Sequence, residues 1–99
     1  MEVLVQAVPR PGQDLKALIE RARREKAKTF TAPKRNKWKH ATYPGWIWVR
    51  GGEGGVLTAR VCGMGDAFPN QILEAFTGFM LRHLREELLS FHLTLVDST

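Results

Sequence analysis

The chain has 99 residues, 43% of them apolar and 25% charged, a balance that supports one folded domain with one core and excludes disorder and a second domain. Fifteen basic and ten acidic side chains give a formal charge of +5, unevenly spread: residues 1–50 hold twelve basic and four acidic groups, residues 51–99 three and six. The single cysteine, Cys62, excludes an internal disulfide framework, and no apolar run approaches the ~18 uncharged residues of a membrane span.

The first stretch, Glu2 to Val8, is rich in β-formers and stops at Pro9-Arg-Pro-Gly12, where proline removes a ladder donor. It carries no cationic leader, so the expectation is a cytoplasmic protein without a membrane partner. From Asp14, an acceptable N-cap, Leu15, Leu18, Ile19 and Ala22 recur at helical spacing and define one apolar face. The opposite face carries Lys16, Glu20, Arg21, Arg23, Arg24 and, if the helix persists, Lys28.

Residues 29–44 show neither helical nor strand periodicity clearly and are bracketed by Pro33 and Pro44. They read as a long basic and aromatic loop, and loops of this length in small domains are often binding segments. Phe30 and Trp38 in it could equally anchor the loop to the core edge. Next, Trp46 to Arg50 and Val56 to Cys62 are β-rich runs joined by Gly-Gly-Glu-Gly-Gly, the signature of a hairpin. Asp66 then reads as the N-cap of a second helix with Pro69 in its first turn, and the wide apolar arc of Ile72, Leu73, Phe76, Phe79, Met80, Leu84 and Leu88 marks it as the more buried helix. Ser90 to Val96 alternates as a closing strand.

The order β-α-β-β-α-β predicts a single α+β domain over 1–99 of the ferredoxin-like, split βαβ kind: four antiparallel strands with both helices on one face. Period-two alternation assigns Val3, Val5 and Ala7, Ile47 and Val49, Leu57, Ala59 and Val61, and Phe91, Leu93 and Leu95 to the face under the helices. The other face is mixed and would present Leu4, Gln6 and Val8, Trp46, Trp48 and Arg50, Val56, Thr58, Arg60 and Cys62, and His92, Thr94 and Val96.

Between Arg21 and Lys39 nine basic residues stand against one acid, and Trp38, Tyr43, Trp46 and Trp48 follow closely. Cations hold phosphates and flat rings stack on unpaired bases, so this mixture points to RNA or single-stranded nucleic acid. The expected interface comprises Arg24, Lys26, Lys28, Lys34, Arg35, Lys37 and Lys39 for phosphate, Trp38, Tyr43, Trp46 and Trp48 for bases, and Arg50 and Arg60 on the sheet. RNA-recognition domains share the strand order and stack bases on an open sheet, a parallel of architecture alone, because Arg60-Val-Cys-Gly-Met does not match their consensus. The competing expectation is a homodimeric interaction module whose open sheet faces, with Leu4, Val8, Trp46, Trp48, Val56 and Val96, pack together.

No catalytic residue or cofactor is expected. His40, His83, His92 and Cys62 lack metal-ligand spacing, and a Cys62–His92 pair on neighbouring strands has no third group to orient it. Gly51–Gly55 lacks the Lys-Ser/Thr of a phosphate loop, and after Gly63-Met-Gly65 a third glycine is replaced by Phe68.

Overall fold

The computed structural model describes residues 1–26 and 28–96. In chain order the elements are β1 (Glu2–Pro9), α1 (Leu15–Lys26), β2 (Phe30–Lys34), β3 (Lys37–His40), β4 (Trp46–Gly51), β5 (Leu57–Cys62), α2 (Asn70–Leu84), a 3-10 turn (Arg85–Glu87) and β6 (Leu88–Val96). The expected continuation of α1 to Lys28 passes through residue 27, outside the described residues.

Six strands form one antiparallel sheet in the order β2-β3-β4-β5-β1-β6. The four strands read from the sequence are β1, β4, β5 and β6, and they lie side by side. The segment read as a loop is instead a hairpin, β2–β3, which extends the sheet beyond β4. The protein is therefore α+β with an open six-stranded sheet and two helices, and its strand order is not that of a four-stranded split βαβ sheet.

The β2–β3 turn is tight because Asn36 adopts a left-handed conformation, φ 64°, which its short polar side chain tolerates. Asn36 is also held in place: its carbonyl accepts from Val49 N–H at 2.8 Å and its side-chain oxygen accepts from the Lys16 ammonium. The β4–β5 hairpin leans on the start of α1, where Lys16 N–H donates to the Gly52 carbonyl at 3.3 Å. At Gly52, φ 91°, a Cβ would lie 3.0 Å from Lys16 N and 2.8 Å from Leu57 Cδ1, so only glycine permits this approach.

Asp14 caps α1 as expected, its carboxylate accepting from Ala17 N–H at 3.1 Å. Asp66 does not cap α2: the chain turns first through Ala67 N–H to Met64 O, and the helix opens at Asn70 with Pro69 before it. Both helices bury their apolar faces on one side of the sheet, in a single cluster with Val3, Val5, Ala7, Ile47, Val49, Leu57, Ala59 and Val61. The expected inward set on β6 is different. Phe91 is half-buried, and Leu93 and Leu95 remain 52% and 72% exposed, because β6 is an edge strand beyond the cover of the helices.

Candidate nucleic-acid interface

Among the described residues no helix covers the second face of the sheet, and strand register fixes which side chains share it. One transverse row runs Lys37, Trp48, Arg60, Leu4, Thr94 across β3, β4, β5, β1 and β6. The next row, two residues along, is Arg50, Thr58, Gln6 and His92; on the other side lie Trp46, Cys62, Glu2 and Val96. Rows are ~7 Å apart at ~3.4 Å per residue, and strands within a row are ~4.8 Å apart. Lys39 joins Lys37 on this face by alternation, since Trp38 between them points to the core.

The aromatic and cationic groups touch. Lys37 Nζ lies 5.1 Å from the ring centres of both Trp46 and Trp48, a cation held between two indoles. Trp48 is 36% exposed, beside a cleft of about 510 Å³ lined by Lys16, Arg35, Trp48, Arg50, Thr58 and Arg60 among others. Two acids temper the field. Glu53 borders the same cleft, and Glu2 accepts from Arg60 Nε at 2.8 Å, which raises the already high pKa of the guanidinium. Among the described residues, Arg35, Lys37, Lys39 and Arg50 form no ion pair.

The residues singled out in the sequence therefore divide. Lys37, Lys39, Trp46, Trp48, Arg50 and Arg60 share the open face, with Arg35 at its margin. Lys34, opposite Lys37 in the register at the tip of the β2–β3 hairpin, joins them at the edge of that face, whereas Arg24, on α1, is exposed elsewhere. Trp38 is a correction: it is fully buried, with Phe30, Phe76 and Phe79 around it, its indole N–H donating to Glu20 at 3.4 Å and the Arg23 guanidinium 5.6 Å above its ring. No base can stack there. Glu20 also receives Arg23 at 3.0 Å, so that one cation of the basic stretch serves the interior.

Tyr43, Lys26 and Lys28 belong to a separate cleft of about 610 Å³ on the helix side, with His40, Gly78, Arg82 and His83. Tyr43 stacks on His40 with ring centres 4.4 Å apart. The His40 Nδ1 accepts from the backbone N–H of Thr42 and Tyr43, so the neutral ring carries its proton on Nε2, and burial lowers its pKa. The His83 pKa is lowered too, by burial first and then by Lys26 and Arg82.

Sequence reasoning did not see Lys16, which looked like any helix-surface cation but reaches the open-face cleft through Asn36, nor Glu2 as the partner of Arg60. Glu2 shares the parity of Leu4, and that signal was available. The Cys62–His92 pair, set aside in the sequence, does not form. β1 separates their strands, and along β1 they sit opposite Glu2 and Gln6 respectively. Burial also raises the Cys62 pKa, which keeps the thiol protonated. Among the described residues no three His, Cys, Asp or Glu side chains converge as metal ligands, and no helix is long and apolar enough to cross a membrane. Compared with known proteins, the chain matches no family model, no curated protein and no solved structure.

Proposed function

We propose that the protein binds single-stranded nucleic acid, RNA in the first instance, across the open face of its sheet. The observation that carries this reading is the Lys37–Trp46–Trp48 group with Arg50 and Arg60 in the same and adjoining rows. Indoles on a flat sheet present π-faces to successive bases, and cations interleaved at strand spacing reach the phosphates between them. A base that stacks on Trp48 displaces the Lys37 ammonium from the ring toward the backbone, exchanging one cation–π contact for a stacking contact and a phosphate contact.

Trp46 and Trp48 supply the test. Adding a short oligouridylate at low salt should quench their fluorescence, while buried Trp38 gives a constant background. Neutralising about five phosphates predicts a log–log salt slope near −3.5, at roughly −0.7 per contact on a single strand. Trp48→Ala should weaken binding about 5- to 150-fold, the equivalent of ~1–3 kcal/mol for one stacked base. No quenching at low salt, or a salt-independent signal, would sink the proposal.

Face-to-face association of two open sheets, the other expectation from the sequence, is less well supported. Trp48 is flanked in its row by Lys37 and Arg60, so that two such faces bring like charges together.

A further inference from the structure

The two edges of the sheet are built differently. The outer strand β2 is short, contains Pro33, ends on Lys34 and is irregular between Thr31 and Lys34. Proline, charge and irregularity are the devices that stop an edge from pairing with another chain. β6 has none of them along its outer side. It is nine residues long and reads Leu-Leu-Ser-Phe-His-Leu-Thr-Leu-Val, without proline, lysine, arginine or carboxylate, and its one irregularity lies at the Val8/Pro9 end of its partner β1. One row of backbone donors and acceptors on β6 is paired with β1, and the other faces outward.

The side chains beside that row are also unfinished. Phe91, Leu93 and Leu95 point to the helix side, opposite the buried Ala7, Val5 and Val3, yet Leu93 and Leu95 are more than half exposed. The Gln71–Gly78–Arg82 flank of α2 borders the cleft on the β2 side. On α2, Leu73 is partly buried against the core and Leu81 is 45% exposed. An apolar shelf thus runs along an open strand edge.

We infer that the protein dimerises by antiparallel pairing of β6 with β6 of a second copy, giving one continuous sheet. Four features select a second copy as the occupant. An antiparallel pair of identical strands is two-fold symmetric and needs no other partner. Centred on Leu93, it places Phe91 of one copy opposite Leu95 of the other and Leu93 opposite Leu93, an apolar ladder on the helix side, with His92 opposite Thr94 on the open side. That register pairs residues 90–96 of the two copies, seven residues at ~3.4 Å or ~24 Å of continuous backbone seam. Finally, the cationic β2–β3 hairpin is at the far edge, so the pairing keeps the two most repulsive segments at opposite ends of the assembly.

Light scattering coupled to gel filtration tests this at micromolar concentration. The wild-type protein should elute at twice the 11.2 kDa chain mass, and Leu93→Lys, which sets two ammonium groups against each other at the two-fold, should elute at the single mass. Because Leu93 is on the surface, the variant should keep the wild-type circular dichroism spectrum. Leu95→Pro, which removes a backbone donor from the outward row, should act in the same direction. A wild-type monomer would overturn the proposal, and so would a Leu93→Lys dimer that is lost instead in Trp48→Asp, since that pattern belongs to the open face.

Discussion

Trp38 and Trp48 are ten positions apart in the sequence and on opposite sides of the sheet. Trp38 is opposite Ile47 in the register and faces the helices; Trp48 is opposite Lys37 and faces outward. The same substitution should therefore have opposite readouts. Trp38→Ala removes a fully buried ring and leaves a void beside the Glu20–Arg23 pair. A loss of ~3–5 kcal/mol in urea unfolding is expected, with the affinity of the folded fraction for oligonucleotide little changed. Trp48→Ala should move the unfolding midpoint little and the affinity strongly. If Trp38→Ala instead left the midpoint alone and abolished binding, the assignment of the two rings to core and surface would be wrong. The amino-acid identities held half of this: an indole among lysines announces an aromatic and cationic site, but only the strand parity of its neighbours says which side of the sheet it joins.

Elements differed in how far they could be read. β1, both helices and the β4–β5 hairpin were legible because each has enough periodic residues, or a glycine turn, to dominate its window. The β2–β3 hairpin was not. β3 has only four residues, so its alternation, Lys37 out, Trp38 in, Lys39 out, His40 half-buried on the inner side, offers two inward positions and is obscured by a run of cations. Pro33 also argued against a strand, rightly for a central one, since β2 is an edge. For β6 the parity was correct and the burial was not, because a sequence shows which side chains share a face but not how far the helices reach across it. In α2 one position stands out. Gly78 lies in the helix interior without a positive φ, and a Cβ there would meet nothing within 4 Å. Neither backbone nor packing requires glycine, so Gly78→Ala should stabilise the fold by about 0.5–1 kcal/mol through helix propensity alone. A higher urea midpoint with unchanged oligonucleotide binding is the expected result; a lower midpoint would mean that a methyl group does not fit the helix-side cleft.

At the scale of the molecule the sheet separates two environments. The open face gathers cations that water and phosphate can reach, while the helix-side cleft holds His40 and His83 among Lys26, Lys28 and Arg82, with Glu74 the nearby acid. Both imidazoles are disfavoured as cations, His40 by burial and His83 by burial and then its basic neighbours, so both have folded-state pKa values below the ordinary 6.5. The folded protein then binds fewer protons than the unfolded chain wherever the pH lies between the lowered values and 6.5. Their contribution to stability is complete above about 6.5 and is lost as pH falls toward the lowered values, where protonation of His40 also breaks the two backbone hydrogen bonds to its Nδ1. The urea midpoint should thus fall as the pH is taken below about 6.5, and His40→Asn, whose amide oxygen can still accept from the Thr42–Tyr43 turn, should flatten that fall. Oligonucleotide binding should move the opposite way or not at all, because added positive charge favours a polyanion. A midpoint that rises on acidification would place these imidazoles beside carboxylates rather than cations, and would require a different charge arrangement in the cleft.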